Sequence, residues 1–101
     1  MKALERLSRN YRAAFLRYLP NRDEAALDAG YQIGRSAVTD GLTILDLAQV
    51  HHDVLREVLR TSSQEELDGV TASAGDFLVE VLATYEMTRP DISRSPELPF
   101  P

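Results

Sequence analysis

The sequence predicts an all-α fold: a four-helix antiparallel, bundle-like domain expected to pair with a second copy of itself. Three observations lead there. Apolar residues recur near every 3.6 positions in four separate segments. Proline punctuates them cleanly: Pro20 separates the first two segments, and the other four prolines all lie after residue 89. No stretch alternates with period two for long enough to read as a strand. Connections of roughly 3–5 residues then favour antiparallel neighbours and a bundle.

The first helix is predicted over about residues 2–19, where Leu4, Leu7, Tyr11, Ala14, Phe15 and Tyr18 form one stripe and Pro20 stops the chain. The second is expected to start at Asn21, because Asn21 and Glu24 have capping-box spacing. Its buried face is predicted from Leu27, Tyr31, Gly34 and Val38, flanked by Ala26, Gly30 and Ala37, with Asp40-Gly41 as the closing turn. Thr43 opens the third helix as its N-cap, with Asp46 near the positive end of the helix dipole and Leu42 placed to staple onto Leu47. Its stripe runs through Ile44, Leu47, Ala48, His51, Val54, Leu55, Val58 and Leu59. Ser63 and Glu66 form a second capping box and open the fourth helix, which reaches Met87 or Thr88. Its core stripe is Val70, Ala74, Phe77, Leu78, Val81, Leu82 and Tyr85. Residues 1–88 therefore form one domain, and 89–101 read as a proline-rich extended tail or truncated linker.

With 101 residues, 44% hydrophobic and 27% charged, the chain has the make-up of one folded domain. It contains no cysteine, which removes thiol nucleophiles, disulfides and cysteine-zinc sites and fits a cytoplasmic setting. No run approaches the ~18 apolar residues of a membrane span. The net charge of −5 argues against nucleic acid as a partner, since phosphate binding needs a basic face. Charge is nevertheless segregated. Residues 1–22 carry six basic side chains against Glu5 alone, and residues 63–88 carry six acidic ones with no Lys or Arg. Complementary fields of this kind place the first and last helices beside each other, within one chain or across a dimer.

The search for chemistry finds little. His51 and His52 are adjacent, so on a helix they point about 100° apart and cannot chelate one ion together. His51 has Leu47, Ala48, Val54 and Leu55 at helical spacings, which marks a hydrogen-bonded core or interface histidine, with pH sensing as the alternative. Gly30 and Gly34 place small residues along one side of the second helix. Each helical glycine costs ~1 kcal/mol against alanine, so a close helix crossing is expected; a small molecule pressed against that backbone is the alternative. There is no phosphate loop, nucleophile elbow or metalloprotease motif, and no catalytic residue, metal ligand or cofactor is assigned.

The fourth helix is apolar on both sides. Val79 and Ala83 project backward from its core stripe, with Ala72 in the same row and Glu80 and Glu86 along the rim. This row is expected to meet another chain, with the acids selecting a basic partner.

Tyr11 with Arg17-Tyr18-Leu19, then Val50-His51-x-x-Val54-Leu55-Arg56-Glu57, then Asp76-Phe77-Leu78-Val79-Glu80-Val81-Leu82 with Tyr85 and Met87, resemble the N-terminal domain of RsbU-type phosphatases. These are PPM-type serine phosphatases of the bacterial general stress response. The resemblance covers about residues 4–88. It implies a non-catalytic four-helix domain that homodimerises and binds an RsbT-like GHKL switch kinase in a sigma-factor partner-switching pathway. It also implies that the partner surface lies where the second and fourth helices run side by side, at positions matching Asp28, Val79 and Ala83. Asp28 departs from the apolar or aromatic residue expected there. The family's domain continues into a catalytic module, whereas Pro90 interrupts the helix here, so an excised piece and a stand-alone relative are both consistent. The alternative function is a small-molecule-sensing or dimerisation domain of a two-component protein, using the Ala26/Gly30/Gly34 side of the second helix.

Overall fold

A computed structural model describes residues 2–89 of the chain. Four α-helices follow one another: α1 (Lys2–Tyr18), α2 (Glu24–Thr39), α3 (Ile44–Arg60) and α4 (Leu67–Thr88), with a 3-10 turn (Gln64–Glu66) leading into α4. No strand occurs among the described residues.

The boundaries follow from local chemistry. After α1 the chain turns through Arg22, whose φ of 50° lies in the left-handed region and whose N–H donates to the Tyr18 carbonyl at 2.8 Å. This reversal occupies Pro20–Arg22, so α2 begins later than the Asn21/Glu24 spacing predicted. Asp23 is the N-cap instead, its carboxylate accepting from the Ala25 N–H at 3.1 Å. At the other end of α2, Gly41 takes φ 75°. Leu42 N–H bonds to the Ala37 carbonyl and Gly41 N–H to that of Val38, which satisfies two terminal carbonyls. Thr43 and Asp46 form the expected reciprocal box, with Asp46 N–H to Thr43 Oγ1 at 3.1 Å and Thr43 N–H to Asp46 Oδ2 at 2.9 Å. Glu66 likewise reaches back to the Ser63 N–H at 2.7 Å. Arg89 is extended, as the residue before a proline should be. The tail predicted beyond it falls outside the described residues.

The helices run up-down-up-down. Arg6 near the start of α1 meets Asp40 just past the end of α2, so these two are antiparallel. The most extensive contact is between α2 and α4, which run parallel and are joined through α3. Gly30 faces Phe77 and Val81, and Gly34 faces Val81, Thr84 and Tyr85. Consecutive α2 and α3 do not pack along each other; both pack on α1 or α4.

Phe77 is the centre of the core. It is fully buried and takes Tyr11 edge-on at 5.2 Å between ring centroids, with Phe15 and Tyr18 each at 5.7 Å. Burying one such ring contributes roughly 1.5–3 kcal/mol. The predicted stripe of α1 is the observed one, with Leu4 half-buried at its edge. The stripe of α2 is rotated: Ala26, Gly30, Ile33, Gly34 and Ala37 are buried, while Leu27, Tyr31 and Val38 are half-buried. In α3, Val50 joins Leu47, Val54 and Val58 inside, and Ile44 and Ala48 are exposed. In α4, Ser73 and Thr84 are buried where Leu78 and Leu82 were expected to be, and those leucines flank the core half-buried. Both polar residues are satisfied. Ser73 accepts from Arg22 Nε at 3.0 Å, and Thr84 donates to the Glu80 carbonyl at 2.9 Å.

Candidate functional site: the outer face of α4

At 3.6 residues per turn, Val79 lies two residues and about 200° round from Phe77 and therefore points away from the core. It is 65% exposed. Ala72 and Ala83 are exposed in the same row, and Met87, 69% exposed, extends it toward the C-terminal end of α4. Glu86 is exposed beside this row and Glu80 half-buried. On α2, Asp28 lies two residues before Gly30, turned about 160° from the direction that faces α4. It is exposed on the outside of the α2–α4 pair and joins no ion pair among the described residues. The structure thus brings Ala72, Val79 and Ala83 together as one surface, with Glu80 and Glu86 alongside and Asp28 on the neighbouring helix.

Two further large apolar residues, Ile44 and Leu45 (75% exposed), face solvent at the start of α3. The Tyr85 hydroxyl donates to the Leu42 carbonyl at 2.8 Å, which places the start of α3 and the end of α4 at the same end of the bundle. The spacing of Ile44 fits the α3 stripe, yet it is exposed. It is the first residue of α3, one turn before the first buried position Leu47, and the helix end leaves it open to solvent.

The small-residue side of α2 is filled by protein. A Cβ added at Gly30 would stand 3.0 Å from the Phe77 ring, and one added at Gly34 would stand 2.6 Å from Thr84 Oγ1 and press on the Val81 carbonyl. There is no room for a ligand against that backbone. His51 is also committed: its Nδ1 lies 3.0 Å from the Tyr11 hydroxyl, and its ring sits edge-on to the Tyr11 ring. Burial holds His51 below the usual imidazole range, helped by the neighbouring charge of His52, and burial raises the Tyr11 phenol. Both shifts favour the neutral forms, a phenol and an uncharged imidazole sharing one hydrogen bond. Among the described residues no three His, Asp or Glu side chains converge as a metal site, and no helix is long and apolar enough to cross a membrane.

The segregated charge is spread over several partners. Arg6 pairs with Asp40, Arg12 grips Glu57 of α3 through two nitrogens, and Arg22 reaches Asp76 of α4 at 3.4 Å. The first and last helices are neighbours as predicted, but aromatic packing rather than an ion-pair ladder joins them.

The sequence model of one family, phosphoserine phosphatase RsbU, N-terminal domain, matches residues 9–88. The chain belongs to this family. The match runs from the middle of α1 to the last residue of α4, so the outer face of α4 and most of the four-helix fold lie within the RsbU N-terminal domain. That domain is a regulatory region separate from the phosphatase domain. No curated protein and no solved structure matches the chain significantly.

Proposed function

We propose that this RsbU N-terminal domain is a non-catalytic regulatory module of a stress-response partner-switching pathway. It binds an RsbT-like GHKL switch kinase in the cytoplasm and pairs with a second copy of itself. The observation that carries the reading is the exposed row Ala72, Val79 and Ala83 on a helix whose opposite side is already core. A valine left 65% exposed at the middle of such a helix is what a partner's apolar groove would cover. Glu80 and Glu86 beside it, in a stretch without a single basic residue, favour a partner with a basic rim.

The test is a pull-down of GHKL-type switch kinases with the native chain and with Val79→Asp. The expected result is capture by the native chain and loss with the variant, whose helicity is checked by circular dichroism. Equal capture by both removes the α4 surface from the reading, and no capture of any such kinase removes the pathway. Sedimentation of the free chain tests the second element: a monomer at high micromolar concentration refutes the homodimer.

A further inference from the structure

The chain has a second surface with an unfilled shape, on the side of the bundle where α1 and α2 run antiparallel. A groove of about 710 Å³ lies between them, and no residue of α4 or of the α3 helix lines it. Its walls have the register of a helix seat. Arg6, Asn10, Ala13 and Arg17 on α1, and Ala29, Ile33 and Ser36 on α2 with its C-cap Asp40, each repeat at i, i+4, i+7 and i+11. Eleven residues at 1.5 Å rise make a trough about 16 Å long. Leu7, Ala14 and Ala37 are buried beneath it. Its upper walls are the small side chains Ala13, Ala29 and Ser36, which allow the 8–10 Å axis separation of packed helices.

The charge around this trough runs against that of the whole chain. The protein is net −5, yet the groove is edged by Arg6, Arg17 and Arg35 with Asp40 as its only acid. Arg6 already neutralises Asp40 at 3.1 Å. Arg17 and Arg35 meet no carboxylate among the described residues. A small-walled apolar trough with two unspent guanidinium groups on opposite rims calls for a helix with a narrow apolar stripe and carboxylates on both flanks.

We propose that the α1–α2 groove is a docking site for an acidic amphipathic helix of a partner protein, distinct from the α4 face. Because the groove and the Val79 row share no residue, both can be occupied at once, and the domain can bridge two partners. The stripe of the docked helix carries Ala or Leu over Ala13, Ala29 and Ser36, and its Asp or Glu residues reach Arg17 and Arg35.

The probe is a designed, fluorescein-labelled helical peptide with an Ala/Leu stripe flanked by Glu, compared with the same peptide carrying Lys for Glu. Binding to the full chain is read by fluorescence anisotropy at low and physiological salt. The Glu peptide should bind saturably, and its affinity should fall about tenfold or more in the double variant Arg17→Glu/Arg35→Glu, which in turn should gain affinity for the Lys peptide. Val79→Asp should leave Glu-peptide binding unchanged. Both arginines are surface residues, and circular dichroism confirms that the double variant is folded. Absence of saturable Glu-peptide binding, equal affinity for both peptides, insensitivity to the double variant, or loss with Val79→Asp each overturns the proposal. Self-association that the double variant abolishes would also overturn it, because the occupant would then be a second copy of this chain.

Discussion

Replacing Gly34 by alanine probes the α2–α4 contact directly, because four helical glycines let the same substitution be compared in four environments. A methyl group at Gly34 would fall 2.6 Å from Thr84 Oγ1 and 2.9 Å from the Tyr85 nitrogen, and closer still to the Val81 carbonyl. Two of these three atoms are backbone, so relief requires α4 to move as a unit rather than one side chain to rotate. Overpacking that forces backbone shifts costs up to about 3 kcal/mol, against which alanine recovers about 1 kcal/mol of helix propensity. The net expectation is a loss of about 2 kcal/mol, or roughly 10 °C in Tm for a domain of this size. At Gly30 the neighbours are the Phe77 ring edge at 3.0 Å and a Val81 methyl at 3.4 Å, both able to shift, so Gly30→Ala should lie within about 1 kcal/mol of the native chain. At Gly75 nothing lies within 4 Å, and Gly75→Ala should stabilise by about 1 kcal/mol; Gly69 is also open. Urea and thermal unfolding followed by circular dichroism give all four values. Gly34→Ala as stable as the native chain, or Gly75→Ala less stable than Gly34→Ala, would refute the close parallel crossing.

Three other predictions concern the core, the cap and the half-buried histidine. Phe77→Ala leaves Tyr11, Phe15 and Tyr18 without their common neighbour and should cost about 4 kcal/mol in urea unfolding. Asp23→Ala should cost about 1 kcal/mol while Asn21→Ala changes little; the reverse order would restore Asn21 as the cap. His51 is held below its usual value of 6.5, so the unfolded chain binds its proton more readily and stability must rise with pH. Its contribution is fully present above about 6.5 and is lost as pH falls through the lower folded value. Unfolding midpoints measured from pH 8 downward should decline across that window, and His51→Gln should flatten the decline there.

What could be read from the sequence depended on which physical signal dominated. Helix α1 has large apolar residues on the side that is buried, so periodicity alone located it. Helix α2 defeated the same reasoning because its tightest contact uses Gly30 and Gly34, and a hydropathy pattern ranks Leu27, Tyr31 and Val38 above them. The closer two helices approach, the smaller the residues between them, so the strongest contact left the weakest apolar signal. Ser73 and Thr84 were overlooked for a related reason: their burial depends on Arg22 and the Glu80 carbonyl, partners that a stripe does not reveal. Asn21 lost the cap to Asp23 because the turn at Arg22 consumes residues that spacing alone assigns to the helix. The Val79 row was legible since apolar residues on both sides of one helix need no tertiary knowledge. The α1–α2 groove was not, because its walls come from two helices and its arginines look like any solvated face when read singly.

The parallel α2–α4 arrangement has a consequence for how the chain acquires its structure. Gly34 and Val81 are neighbours in space but far apart in sequence, with all of α3 between them. A hairpin of successive helices forms early and cheaply, yet the one available before α4, α1–α2, lacks the Phe77 ring on which three aromatic side chains converge. As the chain leaves the ribosome, Tyr11, Phe15 and Tyr18 stay without that partner until α4 has emerged, and these rings are the surface a chaperone would shield meanwhile. Folding should therefore be all-or-none, with no stable half-domain, and its rate should be governed by how quickly α3 carries α4 back to lie beside α2.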